Sequence, residues 1–496
     1  MILRSNVAPA DKQVKSANAP RRTKKSDGGY EVGGYKCTDL GNAERFYRAN
    51  CDNAKHCATW KKWLIWDGKR WKVDDEKQAV VLAAKVARSL WDDMPKLRNR
   101  PYHERMDFLR FCQQSESASK INAQLSLAAG KCPITHLELD KDPWLLNCPN
   151  GVVDLRIGEL RNHDPGDYIT KLCPTRFDPL ATCPHWEAFI YSVFRKNEEM
   201  VTFMQRYLGW CLSGDVSEDL LAVFWGAGSN GKSTLIETVL AVMGGEYASP
   251  GSEELVREKK GDSHPTHVAD LFGRRFCPIV ETPEDMRMDV AKVKRLTGRD
   301  KLKARRMRED LWDFTPSHKI VLCTNYKPQV VDMSHALWRR LCLVEFPQRF
   351  WDSDKGETGE PDLRVNKELA NKLVQEREGI LAWMVRGCVA RRKYGLALPK
   401  SVLAATAGYR DSEDVIGRFI NECCVIAPTA KVKFSQFQAA FRKWCQDEGV
   451  DQQPSTRSIG SYLGKSYRSR KQSCTYYDGI GLLADESELG TEYSDA

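Results

Sequence analysis

Residues 220–240 read LLAVFWGAGSNGKSTLIETVL: an apolar run short enough for a buried strand, a glycine-rich turn, then an amphipathic segment. Each part of that order serves a bound phosphate. Gly226 and Gly231 bracket Ala227, Gly228, Ser229 and Asn230, and glycine there lets backbone N–H groups close around the β- and γ-phosphates. Lys232 adds a point charge. The Ser233 hydroxyl, followed by Thr234, stands at a helix N-terminus where it can ligate Mg²⁺. The chain is expected to bind a nucleoside triphosphate, ATP with Mg²⁺, in an α/β domain.

A chain of 496 residues is too long for one hydrophobic core, so three or four domains are expected. The formal charge of +9 is moderate, and its distribution carries more than its size. Residues 1–35 are basic and poor in large apolar groups, and residues 485–496 are acidic; both read as disordered tails. No apolar run reaches bilayer length and residues 1–10 hold no apolar signal core, which predicts a soluble cytoplasmic protein without a membrane partner. The 17 cysteines form no C-x-x-C pair, and Cys277, Cys323 and Cys342 sit inside apolar runs. Reduced core residues are expected rather than a disulfide framework or zinc site. Cys183 with His185, and His264 with His267, lack two further ligands nearby, so no structural metal is expected.

Along the chain, residues 36–130 carry helical apolar spacing around a tryptophan-rich patch, where Asp67-Gly68 predicts a hairpin turn between strands holding Trp63, Trp66 and Trp71. These rings could stack bases beside Lys61, Lys62, Lys69 and Arg70; core tryptophans with solvated lysines are favoured. Residues 144–168 form a β-rich connector, 187–211 a helical stretch, and 215–350 alternate strand and helix patterns. Residues 365–410 are helical. From Ser412 a new unit is expected: a helix through Cys424, a strand at 431–434, helices at 435–446 and 455–464, and a basic hairpin at 468–483. That order has the look of a winged helix-turn-helix.

Binding a phosphate is not hydrolysing it, so an acid should end the next apolar strand. Residues 275–280 (RFCPIV) lead into Glu281, with Glu284 and Asp285 beyond, and Glu281 is placed beside the cradle to hold the metal or polarise water. The strand KIVLCTN at 319–325 ends in Asn325, whose amide can sense a γ-phosphate. Arg339 and Arg340 close a short helix before the strand 341–346, and either could be offered across a subunit boundary to transition-state charge. Between acid and amide, residues 287–308 hold ten Lys or Arg against Asp289 and Asp300. Lys301, Lys303, Arg305, Arg306 and Arg308 lie on a predicted hairpin returning through 312–314, a face for phosphate backbone.

Taken together, five ordered blocks resemble the superfamily 3 helicases of the phage/plasmid and poxvirus primase-helicase type: NGVVDLRIGEL at 150–160, GAGSNGKST at 226–234, IVET at 279–282, KRLTGRDKLKAR at 294–305 and LCTNYKP at 322–328. ALWRRLCLVEF at 336–346 is similar to the family's arginine-finger block. The resemblance implies an AAA+-like core at 183–350, an α+β helicase-associated region at 36–182, a helical segment at 351–410 and a winged-helix DNA-binding domain at 411–484. It implies a homohexameric ring with ATP sites between subunits and basic hairpins in its channel. Lys232 and Ser233 would take phosphate and Mg²⁺, Glu281 the metal and water, Asn325 the sensor role, and Arg339 or Arg340 the finger. Only the tail-like residues 1–35 precede the helicase-associated region, so no primer synthesis is expected of this chain, and a separate primase could be its partner. The expected activity is that of an ATP-dependent replicative DNA helicase of a phage, plasmid or integrated element. An origin-binding initiator, with Arg457 and Lys465 contacting duplex DNA and ATP driving assembly, is the rival. A small-molecule kinase would have no use for the basic segment at 287–308.

Overall fold

The computed structural model describes residues 31–258, 266–280, 283–305, 311–330, 332–450, 453–471 and 474–483. Its contacts divide the chain into two units, residues 1–65 with 74–134, and residues 66–73 with 135–496.

In the first unit, helices Asp39–Asn50, Gln78–Ser89 and Ala118–Ala129 bring Ala43 and Phe46, Ala79, Ala83 and Val86, and Ile121, Leu125 and Ala128 into one cluster. The three-to-four-residue spacing of those side chains makes one apolar stripe per helix. Thr38 starts the first helix by accepting a hydrogen bond from the Gly41 backbone N–H. Trp63, on the strand Lys62–Trp66, meets Phe46 edge-on with centroids 5.5 Å apart. In the second unit the turn at 67–70 closes with the Asp67 N–H donating to the Arg70 carbonyl at 3.1 Å. Trp71 beyond it is 1% exposed and donates its indole N–H to the Pro165 carbonyl at 2.8 Å. Trp63 and Trp71 are therefore packing residues.

The centre of the second unit is a parallel sheet in the order Phe276–Val280, Lys319–Thr324, Leu221–Trp225, Leu341–Glu345. Its strands are almost continuously buried, because both faces are covered. Ala222, Phe224, Val321, Cys323, Cys342 and Val344 face a core built with helices Glu198–Leu212, Lys232–Tyr247 and Arg377–Tyr394. Leu221, Val223, Ile320, Leu322, Leu341 and Leu343 face the other core, which also holds Tyr409 of helix Lys400–Glu413. That alternation is the two-residue period of a strand. Helices Glu198–Leu212 and Arg377–Tyr394 pack tightly because a Cβ at Gly209 would stand 2.2 Å from the Cys388 nitrogen, and one at Gly387 2.0 Å from the Gln205 oxygen.

After residue 414 come helices Val415–Cys423, Phe434–Asp447 and Thr456–Ser466, with an antiparallel sheet ordered Cys424–Lys433, Thr475–Leu482, Arg468–Lys471. Phe419 joins them, edge-on to Phe437 at 5.1 Å and to Phe441 at 5.3 Å. The first strand begins at Cys424 rather than Lys431. Its register shifts between Ile426 and Lys431 and its middle is largely exposed, so no alternation announces it in the sequence. Thirteen of the 17 cysteines are buried, Cys277, Cys323 and Cys342 among them. Among the described residues, no helix is long and apolar enough to cross a membrane.

Candidate nucleotide site

Strand Leu221–Trp225 runs into the turn at 226–231 and out into helix Lys232–Tyr247. The turn needs its glycines: Gly228 and Gly231 have φ of 94° and 85°, and a Cβ on Gly226 would lie 2.2 Å from Asn230 Nδ2 and 2.8 Å from the Phe346 oxygen. Ser229, at φ 47°, is held by the Phe350 N–H donating to its carbonyl at 2.7 Å. Gly231, the residue capping that helix, supplies no side-chain cap. The first-turn N–H groups thus keep their capacity to bind an anion, and the helix dipole favours one there.

Lys232 is 5% exposed and bridges the site. Its Nζ donates to the Gly226 carbonyl at 2.6 Å, to Asn230 Oδ1 at 3.0 Å and to Asn325 Oδ1 at 3.1 Å. Burial lowers the amine's pKa, against a smaller opposing contribution from Cys323. A phosphate oxygen would restore the charge compensation that burial removes. Asn325 is fixed at both ends, since its carbonyl accepts from the Trp225 indole N–H at 3.1 Å. Lys327 Nζ lies 4.1 Å from the Trp225 ring centroid. Trp225 was not singled out by spacing; a nitrogen-bearing aromatic at the last strand position before the turn is the signal that marks it.

The sheet order corrects one expectation. The strand leading to Glu281 is not beside the cradle strand; Lys319–Thr324 lies between them, with Val280 opposite Cys323 and Thr324 opposite Trp225. Motif order along a chain does not set strand order in a doubly covered parallel sheet, where each crossover can skip a position. All strands are parallel, so the turn at 226, Val280 and Asn325 share the carboxyl edge. Glu281 itself lies outside the described residues; Glu284 and Asp285 are exposed. Ser233, at the helix start, is exposed toward solvent.

Arg339 and Arg340 are at the opposite edge. They precede strand Leu341–Glu345, and the Leu221 N–H donates to the Arg340 carbonyl at 2.7 Å. Five residues of strand separate that edge from the turn, on the order of 15 Å. Neither arginine is brought to its own chain's Lys232. Arg340, with its side chain 12% exposed, donates to Asp219 Oδ2 at 2.9 Å and to the Ala336 carbonyl at 2.7 Å. Arg339 is 55% exposed, with Asp219 at 4.0 Å. Asp219, one more residue missed by motif spacing, anchors the pair.

The basic hairpin forms as strands Leu302–Ala304 and Trp312–Phe314, pairing Lys303 with Asp313. Leu302, Ala304, Trp312 and Phe314 are buried, while Lys301, Lys303 and Arg305 are exposed, so alternation puts these three cations on the outer face. Phe272 pins the base, edge-on to Trp312 at 4.9 Å and Phe314 at 5.6 Å. Arg306 and Arg308 fall outside the described residues. Arg457 and Lys465 are both on helix Thr456–Ser466, apart from the nucleotide site.

With this geometry in hand, two family models match the chain: one described as D5 N terminal like over residues 43–195, and one described as a family of unknown function over residues 224–340. The second runs from the strand before the turn to Arg340. A protein of Acanthamoeba polyphaga mimivirus, provisionally named a helicase, is 28% identical over 66% of this chain and 35% of its own length. One of Invertebrate iridescent virus 3, also provisionally named a helicase, is 24% identical over 62% and 35%. One of African swine fever virus, provisionally named a primase, is 23% identical over 62% and 34%. The matches thus span about a third of these relatives' length. The solved apo structure of the NrS-1 C-terminal region is similar at 10% identity and a TM-score of 0.45, over 86% of this chain and 96% of that one. The family models and the viral relatives support a resemblance to proteins of the superfamily 3 primase-helicase type.

Proposed function

We propose that this protein is an ATP-dependent DNA helicase acting in replication of a virus, phage, plasmid or integrated element. The observation that carries this reading is the convergence of Lys232 Nζ on the glycine turn and on Asn325 Oδ1 of the neighbouring strand. A cradle that binds phosphate and an amide that reports on it meet at one lysine, and the viral relatives named as helicases support the same reading.

Residues 226–234 would form the P-loop of an AAA+-like core. Its N–H groups and Lys232 bind the triphosphate, and Asn325 orients water or γ-phosphate. Ser233 and Glu281 would hold Mg²⁺, which neutralises phosphate charge when bound. Because Arg339 and Arg340 stand at the far edge of their own sheet, a finger must come from a neighbouring copy, which supports a ring, a homohexamer in this account. Arg339 is the better finger: Arg340 is occupied by Asp219, whereas Arg339 is exposed. Lys301, Lys303 and Arg305, with Arg306 and Arg308 beyond them, would grip single-stranded DNA in the channel. The order of helices and strands after residue 414 supports a winged helix, and with Arg457 and Lys465 it also favours the second reading, an origin-binding initiator.

Turnover of ATP with and without single-stranded DNA tests the first reading. Stimulation by DNA, abolished in Lys232→Ala, is expected. Turnover indifferent to DNA, with no separation of a forked duplex, would overturn it.

A further inference from the structure

The loop after Asn325 is clamped from two sides. On one, the Gln329 N–H donates to the Met286 carbonyl at 2.9 Å and the Met288 N–H to the Gln329 carbonyl at 3.0 Å. On the other stands helix Lys400–Glu413. The Tyr409 hydroxyl donates to the Pro328 carbonyl, and Glu413 Oε2 accepts from the Val330 N–H at 2.7 Å. Lys327, whose amine lies over Trp225, is also 5.8 Å from the Tyr409 ring centroid. Tyr409 is fully buried and packs edge-on against Trp338, centroids 5.2 Å apart, in the short helix directly preceding Arg339. One side chain thus touches both the Asn325 loop and the arginine helix.

No linker follows. Helix Lys400–Glu413 ends at Glu413, and Asp414 caps the next helix by accepting from the Gly417 N–H at 2.9 Å. Asp414 also accepts from the Tyr462 hydroxyl at 2.7 Å, which ties the junction to helix Thr456–Ser466. The Asn325 loop and the helices after residue 414 are thus joined through one helix end. Arg457 and Lys465 line a cleft of about 1150 Å³ whose other walls carry Arg287 together with Glu258, Asp289, Asp332 and Glu413. That mixed-charge cleft is a poorer partner for a phosphate backbone than an all-basic face would be.

We propose that Tyr409 and Glu413, one helical turn apart, are positioning residues that couple occupancy of the triphosphate site to the orientation of the C-terminal unit, and so to presentation of Arg457 and Lys465 to DNA. This rests on the nucleotide reading of Lys232 and Asn325. Hydrogen exchange of the full chain, with and without Mg²⁺ and a non-hydrolysable ATP analogue, tests it. In the unmodified protein the analogue should change exchange at residues 226–233, 325–330 and 456–466. In Glu413→Ala and in Tyr409→Phe the change at 456–466 should be lost while that at 226–233 persists. Glu413→Gln, which keeps an acceptor for the Val330 N–H, should restore it, a rescue that general loosening of the helix does not give. A change at 226–233 with none at 456–466 in the unmodified protein, or full transmission in both Glu413→Ala and Tyr409→Phe, would overturn the coupling alone. No change at 226–233 would overturn the nucleotide reading and the coupling with it.

Discussion

Lys232 and Asn325, 93 residues apart in the chain, are joined across neighbouring parallel strands by a 3.1 Å hydrogen bond from Nζ to Oδ1. The lysine opens the helix that leaves the turn and the amide directly follows the strand beside it, so removing the amide leaves the cradle standing. Asn325→Ala should keep nucleotide affinity within a few-fold and lower ATP turnover by about 10²-fold, the usual loss when one aligned polar group is removed from a transition state. Nucleotide binding measured beside steady-state turnover checks this; equal losses in both would assign Asn325 to binding.

The exposed cations of the hairpin should act through phosphate contacts. Replacing Lys301, Lys303 and Arg305 together by alanine should reduce the slope of log affinity for single-stranded DNA against log salt by about 2. The thermal midpoint should hold, because Phe272, Trp312 and Phe314 anchor the hairpin from its other face. An unchanged slope would place these side chains away from the strand.

His318 is buried, its Nε2 lies 3.1 Å from the Leu296 carbonyl, and burial pulls its pKa down to about 4. Between pH 4 and 6.5 the unfolded chain binds a proton that the folded chain refuses. Stability from this group is therefore complete above about pH 6.5 and is lost as pH falls toward 4, by about 3 kcal/mol. Chemical denaturation of the unmodified protein and of His318→Gln across that range should show a smaller acid loss in the variant.

The parts of the site that depend on spacing over a few residues were legible in the sequence. The turn at 226–231 and the alternating cations at 301–305 each follow from local backbone geometry. What spacing did not disclose depends on distant pairing. The Asn325 strand lies between the cradle strand and the one leading to Glu281, and no local pattern encodes which strand a crossover skips. Arg340 is held by Asp219, 121 residues away, and Glu413 meets Val330 across 83. These contacts join charged or polar groups that look solvated when read one segment at a time. The strand from Cys424 was hidden for a different reason: its bulged, exposed middle has no periodicity.

The central claim is that ATP is cleaved between neighbouring copies, with Lys232 from one and Arg339 from the next. Lys232→Ala and Arg339→Ala should each be inactive alone, the latter by about 10³-fold or more. Mixed and reassembled with DNA, they form interfaces that pair an intact Lys232 with an intact Arg339, and DNA-stimulated turnover should return to a measurable fraction of the unmodified rate. Retained activity in Arg339→Ala alone, or a mixture as inactive as its parts despite shared assembly, would contradict the account.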